Sequence, residues 1–281
     1  MPQTINTNIA SLNAQRNLNT SQGSLAVSMQ RLSSGMRVNS AKDDAAGLAI
    51  AERMNSQIRG MNVAVRNAND GISLAQTAEG ALGKVSDTLQ RMRELTVQAR
   101  NATNTTSDLD SIGKEFGELA QEITRVLGGT TFNGKKILGA DATTPQVFQI
   151  GPNTGAEDTI TVVTSDLTVD PTVTAVTASV IDNTSTVATL AQSITDIDAA
   201  LTTISTQRAT LGASQNRFEA VISNLQVSVE NQSAARSRIM DADYAAETSN
   251  LSRTQILQQA GNAMVAQANQ LPQQVLALLK G

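Results

Sequence analysis

The chain has 281 residues, enough for roughly two domains, and its net charge of −4 and pI of about 5.0 argue against a nucleic-acid surface. It contains no Cys and no His, which excludes thiol nucleophiles, disulfides, Cys/His zinc sites and histidine general bases. Aromatic residues make up only 2% of the chain, and an apolar content of mostly small or branched residues suits narrow contacts between helices.

The N-terminal end carries few charges. Residues 1–42 contain no Asp or Glu. A solvated helix usually carries more charge, so we expect this segment to be covered by other protein surfaces in an assembly. Its apolar residues Ile5, Ile9 and Leu12 recur at helical spacing and predict a short seam, meaning a row of side chains along one helix face.

The next segment predicts a long helix over residues 44–100. Apolar residues alternate spacings of four and three from Met54 to Met92, with one three-residue slip. Ser40 with Asp43 three residues later is typical of a capping box at a helix start. The seam residues that we expect in the core of this region are Ile58, Val65, Ile72 and Leu89.

A shorter helix is predicted over residues 108–127. Ser107 with Asp110 repeats the cap pattern, and apolar residues then recur at helical spacing. The glycine pair that begins at Gly128 predicts the end of this helix.

The middle of the chain, residues 140–187, is rich in Thr, Val and Asp and poor in helix formers. Two β-like runs, 147–150 and 159–163, are separated by a stretch that contains Gly and Pro, and they predict a hairpin with a longer loop. For residues 164–187 the pattern leaves two alternatives open, further short strands or a Thr-rich excursion.

A third long helix is predicted over residues 188–240, where apolar residues keep a heptad spacing for seven heptads. Polar residues occupy some seam positions, where they would fix the register or face a neighbouring subunit; these are Arg208, Gln215, Gln232 and Arg236. The apolar seam residues that we expect in the core are Leu211, Phe218 and Leu225.

The C-terminal end resembles the N-terminal end in composition. Residues 248–281 contain only Arg253 and Lys280 as charged residues. One helix face carries the apolar residues Leu257, Met264, Leu271, Val275 and Leu278. The few apolar side chains at the two ends give a marginal core, so we expect both ends to order fully only against other copies.

No targeting segment is visible. Residues 1–20 lack the continuous apolar region of a cleaved signal peptide. No apolar run approaches the roughly 18 residues of a membrane span, so no membrane partner is expected. Secretion by a route that reads no cleaved signal remains open.

Several ordered motifs resemble bacterial flagellin. In the first half they are INTN at 5–8, RLSSG at 31–35, NSAKDDAAG at 39–47, RNANDGIS at 66–73 and LQRMREL at 89–95. In the second half they are RSRIMDADYA at 236–245 and QILQQAG at 255–261. The resemblance covers about residues 1–140 and 188–281, and leaves only the middle unmatched.

The resemblance implies a mainly α fold in which long antiparallel coiled-coil helices form a rod with a small β-hairpin region. The rod would comprise residues 44–240, including the variable excursion 140–187. The chain ends, residues 1–43 and 241–281, would pair as an inner coiled-coil domain, and the apolar seams of the two ends would be its assembly seam. The middle has little room for an outer domain, so the chain resembles a near-minimal flagellin.

The resemblance also implies a structural subunit that self-assembles into the extracellular helical filament used for swimming. The chain would be exported in an unfolded state through the flagellar type III apparatus, without a cleaved signal. The implied partners are other copies, the filament cap, the hook–filament junction proteins and an export chaperone that holds the C-terminal helix.

A further implied partner is the host Toll-like receptor for flagellin. In recognised flagellins the contact patch lies on the first rod helix and the shorter helix after it. The matching positions are Arg91, Leu95 and Glu115, and Arg91 and Leu95 are expected to share an exposed face one turn apart. The same patch would be an axial contact between subunits.

No catalytic, metal or cofactor site is expected. The adjacent carboxylates Asp43 and Asp44 favour a helix N-terminus rather than acid–base chemistry, and Asp241 and Asp243 favour capping or pairing with nearby arginines. A hook–filament junction protein is the alternative to a filament subunit. An enzyme with a zinc peptidase insert is excluded by the absence of His, and a membrane-active translocator lacks its long apolar segments.

Overall fold

The computed structural model describes the backbone of residues 7–280 and the side chains of residues 7–270. In this described part the helices are α1 (Ile9–Ser34), α2 (Ala45–Ala99), α3 (Thr106–Gly129), α4 (Pro171–Ala178), α5 (Val187–Met240) and α6 (Tyr244–Lys280). The strands are β1 (Thr131–Phe132), β2 (Lys135–Lys136), β3 (Gln146–Gln149) and β4 (Thr159–Val162). The predicted fold class, mainly α with paired terminal helices and a small β region in the middle, is confirmed.

The chain forms two compact units. The terminal unit comprises residues 1–56 and 231–281, and within it α1 packs antiparallel along α6. The middle unit comprises residues 57–230 and holds α3, α4, both hairpins and most of α2 and α5. These divisions fall inside α2 and α5, whereas the resemblance implied boundaries after residues 43 and 240, near the ends of these helices.

The start of α3 is fixed by a capping box two residues earlier than the sequence suggested. Thr105, not Ser107, is the N-cap, and its hydroxyl accepts from the backbone N–H of Asp108 at 3.3 Å. The Asp108 carboxylate accepts in return from the backbone N–H of Thr105 at 2.9 Å. The hydrogen bonds from Thr105 hold the pKa of Asp108 below its usual value.

The start of α2 also differs from the prediction. Ser40 and Asp43 form a turn before the helix, in which Asp43 Oδ2 accepts from the Ser40 N–H and hydroxyl at 2.9 and 3.0 Å. These bonds lower the pKa of Asp43. The helix itself begins after Asp44, whose Oδ1 accepts from the Gly47 N–H at 2.8 Å. The cap is therefore Asp44, because a carboxylate directly before the first turn reaches a free N–H of that turn.

The predicted hairpin is present, and a second hairpin before it and a short helix after it were not predicted. Strands β3 and β4 pair antiparallel, with Gln146 opposite Val162. Strands β1 and β2 form a second, two-residue hairpin. Residues 171–178, expected as strand or irregular excursion, form helix α4, because Asp170 caps it and a proline occupies its first turn.

The core of the middle unit is mostly aliphatic, and Gly71 leaves room for one of its few aromatic rings. The Phe218 ring on α5 lies directly over Gly71 of α2, where a Cβ atom would come within 2.6 Å of it. Phe148 on β3 meets Phe218 edge-on, with ring centroids 5.5 Å apart. The hairpin is tied to α2 as well, since the Asn67 side chain donates to the Gln149 carbonyl at 2.9 Å.

The seam residues expected in the rod core are buried to different extents. Leu89, Leu211 and Phe218 are fully buried. The other four are half-buried, and they are Ile58, Val65, Ile72 and Leu225.

The side chains at two polar seam positions make polar contacts across the α2–α5 pair, which fixes the register of the two helices. Gln215 of α5 donates to Glu79 Oε2 on α2 at 2.9 Å. Arg208 lies 3.8 Å from Glu79 Oε1. A polar pair at one place in an apolar seam disfavours slipped alignments.

We predict that Leu211→Asp unfolds the middle unit whereas Leu225→Asp weakens it. Burying an unpaired carboxylate at the fully enclosed Leu211 position costs about 3–5 kcal/mol. At the half-buried Leu225 position the new carboxylate reaches water, and the loss is about 1–2 kcal/mol. Thermal unfolding followed by circular dichroism checks this, and equal losses for the two variants would contradict the helix register.

Candidate functional site

The most deeply buried part of the contact between α1 and α6 consists of small and polar residues. Among the residues of the two helices whose side chains the structure describes, the buried ones are Ser11 and Ser28 on α1, and Glu247, Thr254 and Ala268 on α6. A Cβ atom on Gly261 would lie 3.1 Å from a methyl carbon of Leu18, so glycine at this position lets the helices approach closely.

Hydrogen bonds cross this contact along its whole described length. The Asn8 side chain donates to the Ala268 carbonyl at 2.7 Å, and the Ser11 hydroxyl donates to Asn269 Oδ1 at 2.8 Å. At the other end the Tyr244 hydroxyl donates to the Leu32 carbonyl at 3.2 Å. Each such bond contributes about 1 kcal/mol net, so the pair is held by specific but individually weak contacts.

One charged pair lies in the same contact. Arg31 on α1 is 3.8 Å from Glu247 on α6, and the Glu247 side chain is nearly enclosed. A carboxylate in this position would be costly to leave unpaired, so Arg31 and Glu247 fix the alignment of the two helices.

Several large apolar side chains of both helices are exposed, whereas Leu18, Leu25 and Leu32 on α1 and Leu251 and Val265 on α6 are half-buried. On α1 Ile9 is 68% exposed and Leu12 52%, and on α6 Leu257 is 51% exposed and Met264 63%. Other exposed apolar residues of the pair are Val27, Met29 and Ile256. An apolar surface of this kind on a protein marks an interaction site.

The seam predicted at the chain ends therefore lies on the outside of the helix pair. Ile9, Leu12, Leu257 and Met264 do not join α1 to α6; they are available to another molecule. The predicted seam residue Ile5 lies outside the described residues, as do the side chains of Leu271, Val275 and Leu278.

A groove of about 570 Å³ runs between the helices on this outer side. Ala10, Ala14 and Leu18 line it from α1, and Ala260 and Met264 line it from α6. Small residues on both walls leave room for the side chains of an additional helix.

Backbone hydrogen bonds join the end of α1 to the segment that precedes α6. Gly35 ends α1 in the left-handed conformation with φ 70°, and its carbonyl accepts from the Ala242 N–H at 2.9 Å. The Arg37 N–H donates to the Met240 carbonyl at 2.7 Å. Asp243 then caps α6 by accepting from the Ala245 N–H at 2.9 Å. The capping role expected for this carboxylate is therefore present.

Asp241, the second carboxylate of this segment, pairs with a hydroxyl rather than with an arginine. Its Oδ2 accepts from the Ser237 hydroxyl at 2.6 Å. Among the described residues, no group of three or more Asp, Glu, Cys or His side chains is placed to hold a metal ion.

A second candidate surface lies on α2 and α3, where Arg91 and Glu115 meet. Arg91 Nε donates to Glu115 Oε1 at 2.9 Å, and Nη1 donates to Glu94 Oε2 at 3.0 Å. The hydrogen bonds from Glu115 and then Glu94 raise the pKa of Arg91. All three side chains are exposed. The structure thus brings two of the three expected contact residues together.

The third expected contact residue, Leu95, is not on this surface, and the expectation that it shares an exposed face with Arg91 is wrong. Leu95 is 2% exposed and belongs to the hydrophobic core. Arg91 reaches α3 through Glu115, whereas Arg93 reaches α5 through a salt bridge to Asp198 at 2.7 Å. Because two helices cover α2 here, its buried face is wider than a two-helix seam.

An exposed apolar residue close to this surface, Val97, was missed. Val97 is 53% exposed and lines a shallow groove of about 530 Å³ with Gln90, Arg93 and Glu94. Its position off the heptad seam was the available signal.

No described helix is long and apolar enough to cross a membrane.

Family comparisons match both ends of the chain. The bacterial flagellin N-terminal helical region matches residues 5–143, and the bacterial flagellin C-terminal helical region matches residues 194–279. A flagellin of Halalkalibacterium halodurans is 48% identical over 279 residues, which are 98% of this chain and 99% of that protein. A flagellin of Xenorhabdus nematophila is 46% identical over 317 aligned positions that cover both proteins fully. A crystal structure of Bacillus cereus flagellin is 34% identical and covers 61% of this chain and 94% of that one, with a TM-score of 0.49.

We predict that Leu95→Ala and Arg91→Ala affect the stability of the free chain very differently. Leu95→Ala leaves a cavity in the core and lowers the free energy of unfolding by about 2–5 kcal/mol. Arg91→Ala removes only solvent-exposed ion pairs and lowers it far less. Chemical denaturation measures both values, and a Leu95→Ala loss no larger than that of Arg91→Ala would contradict the buried position.

Proposed function

Because this chain belongs to the bacterial flagellin family, we propose that the outer side of its α1–α6 pair is the surface through which copies join in the flagellar filament. Family membership makes the chain a structural subunit of the extracellular flagellar filament and not an enzyme. The finer assignment concerns which of its residues make the contacts.

The observation that carries this proposal is the set of large apolar side chains that the helix pair leaves exposed. Ile9, Leu12, Leu257 and Met264 face solvent, whereas the fully buried described residues of the pair are small or polar and Leu18, Leu25 and Leu32 are only half-buried. Burial of apolar area is the main stabilising term, so the pair gains free energy when further copies cover the exposed side chains.

The contact free energy expected from burying these side chains supports the same proposal. Full burial of a Leu, Ile or Met side chain contributes about 1.5–3 kcal/mol. A side chain that is already half-buried retains roughly half of that, or about 1 kcal/mol, for the assembly step. The seven outward apolar residues of α1 and α6 would together supply a substantial contact free energy at each subunit.

We also propose unfolded export through the flagellar type III apparatus without a cleaved signal. The small number of fully buried side chains described between α1 and α6 supports this, because a helix pair that buries little apolar area opens readily in the free chain. An export chaperone that binds α6 would cover the exposed Leu257 and Met264. The filament cap and the hook–filament junction proteins remain further proposed partners.

Recognition of the free chain by a host Toll-like receptor for flagellin is a separate proposal. Its support is the exposed cluster of Arg91, Glu94 and Glu115, whose ion pairs hold the charged groups in one arrangement. Pre-ordered charged side chains lose little freedom on binding and give specificity. Leu95 makes no direct contact in this proposal because it is buried.

We predict that Leu12→Ser combined with Leu257→Ser raises the critical concentration for filament growth at least about tenfold. The two changes remove roughly 2 kcal/mol of contact free energy, and about 1.4 kcal/mol corresponds to tenfold. Sedimentation of filaments from freshly monomerised protein gives the critical concentration.

The matched control for this experiment is Val147→Ser, which changes a 63% exposed apolar residue on the β3–β4 hairpin of the middle unit. We expect it to shift the critical concentration less than about twofold. Circular dichroism checks that both variants keep the helices of the parent. Normal assembly of the folded double variant would refute the proposed contact surface.

A further inference from the structure

The turn between β1 and β2 contains an unusual combination of sequence and exposure. Asn133 and Gly134 are its two central residues, with φ of 49° and 80°. Positive φ at both positions is the geometry of a type I′ turn, which Asn-Gly adopts most readily. This is the one Asn-Gly pair in the 281-residue sequence.

The side chain of Asn133 is free to react. Asn133 and Gly134 are both exposed, and within the described residues no hydrogen bond holds the Asn133 side-chain amide. The space where a Cβ of Gly134 would lie is empty, with nothing within 4 Å. The backbone nitrogen of Gly134 is therefore shielded neither by a side chain of its own residue nor by neighbouring atoms at that position.

The hairpin that holds this turn is also very short. Each strand has two residues, and only Thr131 with Lys136 and Phe132 with Lys135 are paired. A two-stranded hairpin of this length opens easily, and glycine adds backbone freedom. Opening lets the backbone at Asn133 leave the left-handed conformation and bring its side chain against the next peptide nitrogen.

We propose that Asn133 is a site of spontaneous deamidation and isoaspartate formation. The Gly134 backbone nitrogen loses its proton and attacks Cγ of Asn133, forming a C–N bond that closes a five-membered imide ring. The side-chain nitrogen leaves as ammonia. Water then opens the ring at either carbonyl, giving aspartate or isoaspartate and one additional negative charge.

The consequence is local and specific to this turn. Isoaspartate routes the main chain through the side-chain carbon, which adds one atom to a loop whose two residues set the pairing. The segment just after it is anchored: the Lys136 N–H donates to Asp141 Oδ2 at 2.8 Å, and Ile137 and Leu138 are buried. The altered turn therefore loses its pairing while the anchored segment stays in the core.

The chain offers a built-in comparison and a matched variant. Asn153 is also exposed but is followed by Thr154, whose branched Cβ crowds the peptide nitrogen. Asn133→Gly keeps a turn that tolerates positive φ at both central residues and removes the reacting amide. Asn133→Asp serves as a standard for one of the two products.

The test is incubation of the purified full chain in mildly alkaline buffer, followed by peptide mass spectrometry and by isoaspartyl methyltransferase labelling. We expect conversion at Asn133 to be at least roughly tenfold faster than at Asn153. The methyltransferase label is expected to fall to background in Asn133→Gly. Conversion at Asn133 no faster than at Asn153, or undiminished labelling of Asn133→Gly, would overturn the proposal.

Discussion

The exposed apolar side chains of the α1–α6 pair are the constraint on which the proposed function of this chain depends. The fully buried side chains of the described contact include Ser11, Ser28 and Thr254, whereas Ile9 and Leu257 are exposed. In the free chain the polar groups of the contact are satisfied by each other or by water, but exposed apolar side chains gain free energy only when another surface covers them. The burial of these exposed side chains therefore favours association of the pair with another molecule.

The remaining features of the terminal unit keep this arrangement in register, and the middle unit contrasts with it. The backbone hydrogen bonds at Gly35 and the Arg31–Glu247 pair align α1 with α6, and Asp243 fixes the start of α6. In the middle unit the apolar seams face inward, with Leu89, Leu211 and Phe218 fully buried, and Glu79 fixes the helix register. The middle unit thus has a large core, whereas the terminal unit has a small buried cluster of Val38, Ala51 and Met240 and leaves several large apolar side chains exposed.

The sequence predicted the long helices well because a heptad pattern repeated over many turns is a strong signal. The predicted bounds 44–100, 108–127 and 188–240 differ by at most two residues from those of α2, α3 and α5. The caps were misplaced because Ser, Thr and Asp recur near each helix start, and several of them satisfy the same short pattern. Helix α4 was missed since its cap and proline lie among Thr and Val residues that favour strands.

The sites were only partly predictable. Motif resemblance named Arg91 and Glu115, which the structure brings together, but periodicity along one helix does not show that two other helices cover Leu95. In the same way, apolar spacing at the chain ends identified a seam without showing whether it faces the partner helix or solvent.

The most direct test compares methionine oxidation by peroxide in free and assembled protein, using Met29 and Met264, which are exposed, and Met61, which is buried. The account predicts strong protection of Met29 and Met264 on assembly with little change at Met61, and equal oxidation of Met264 in both states would contradict it.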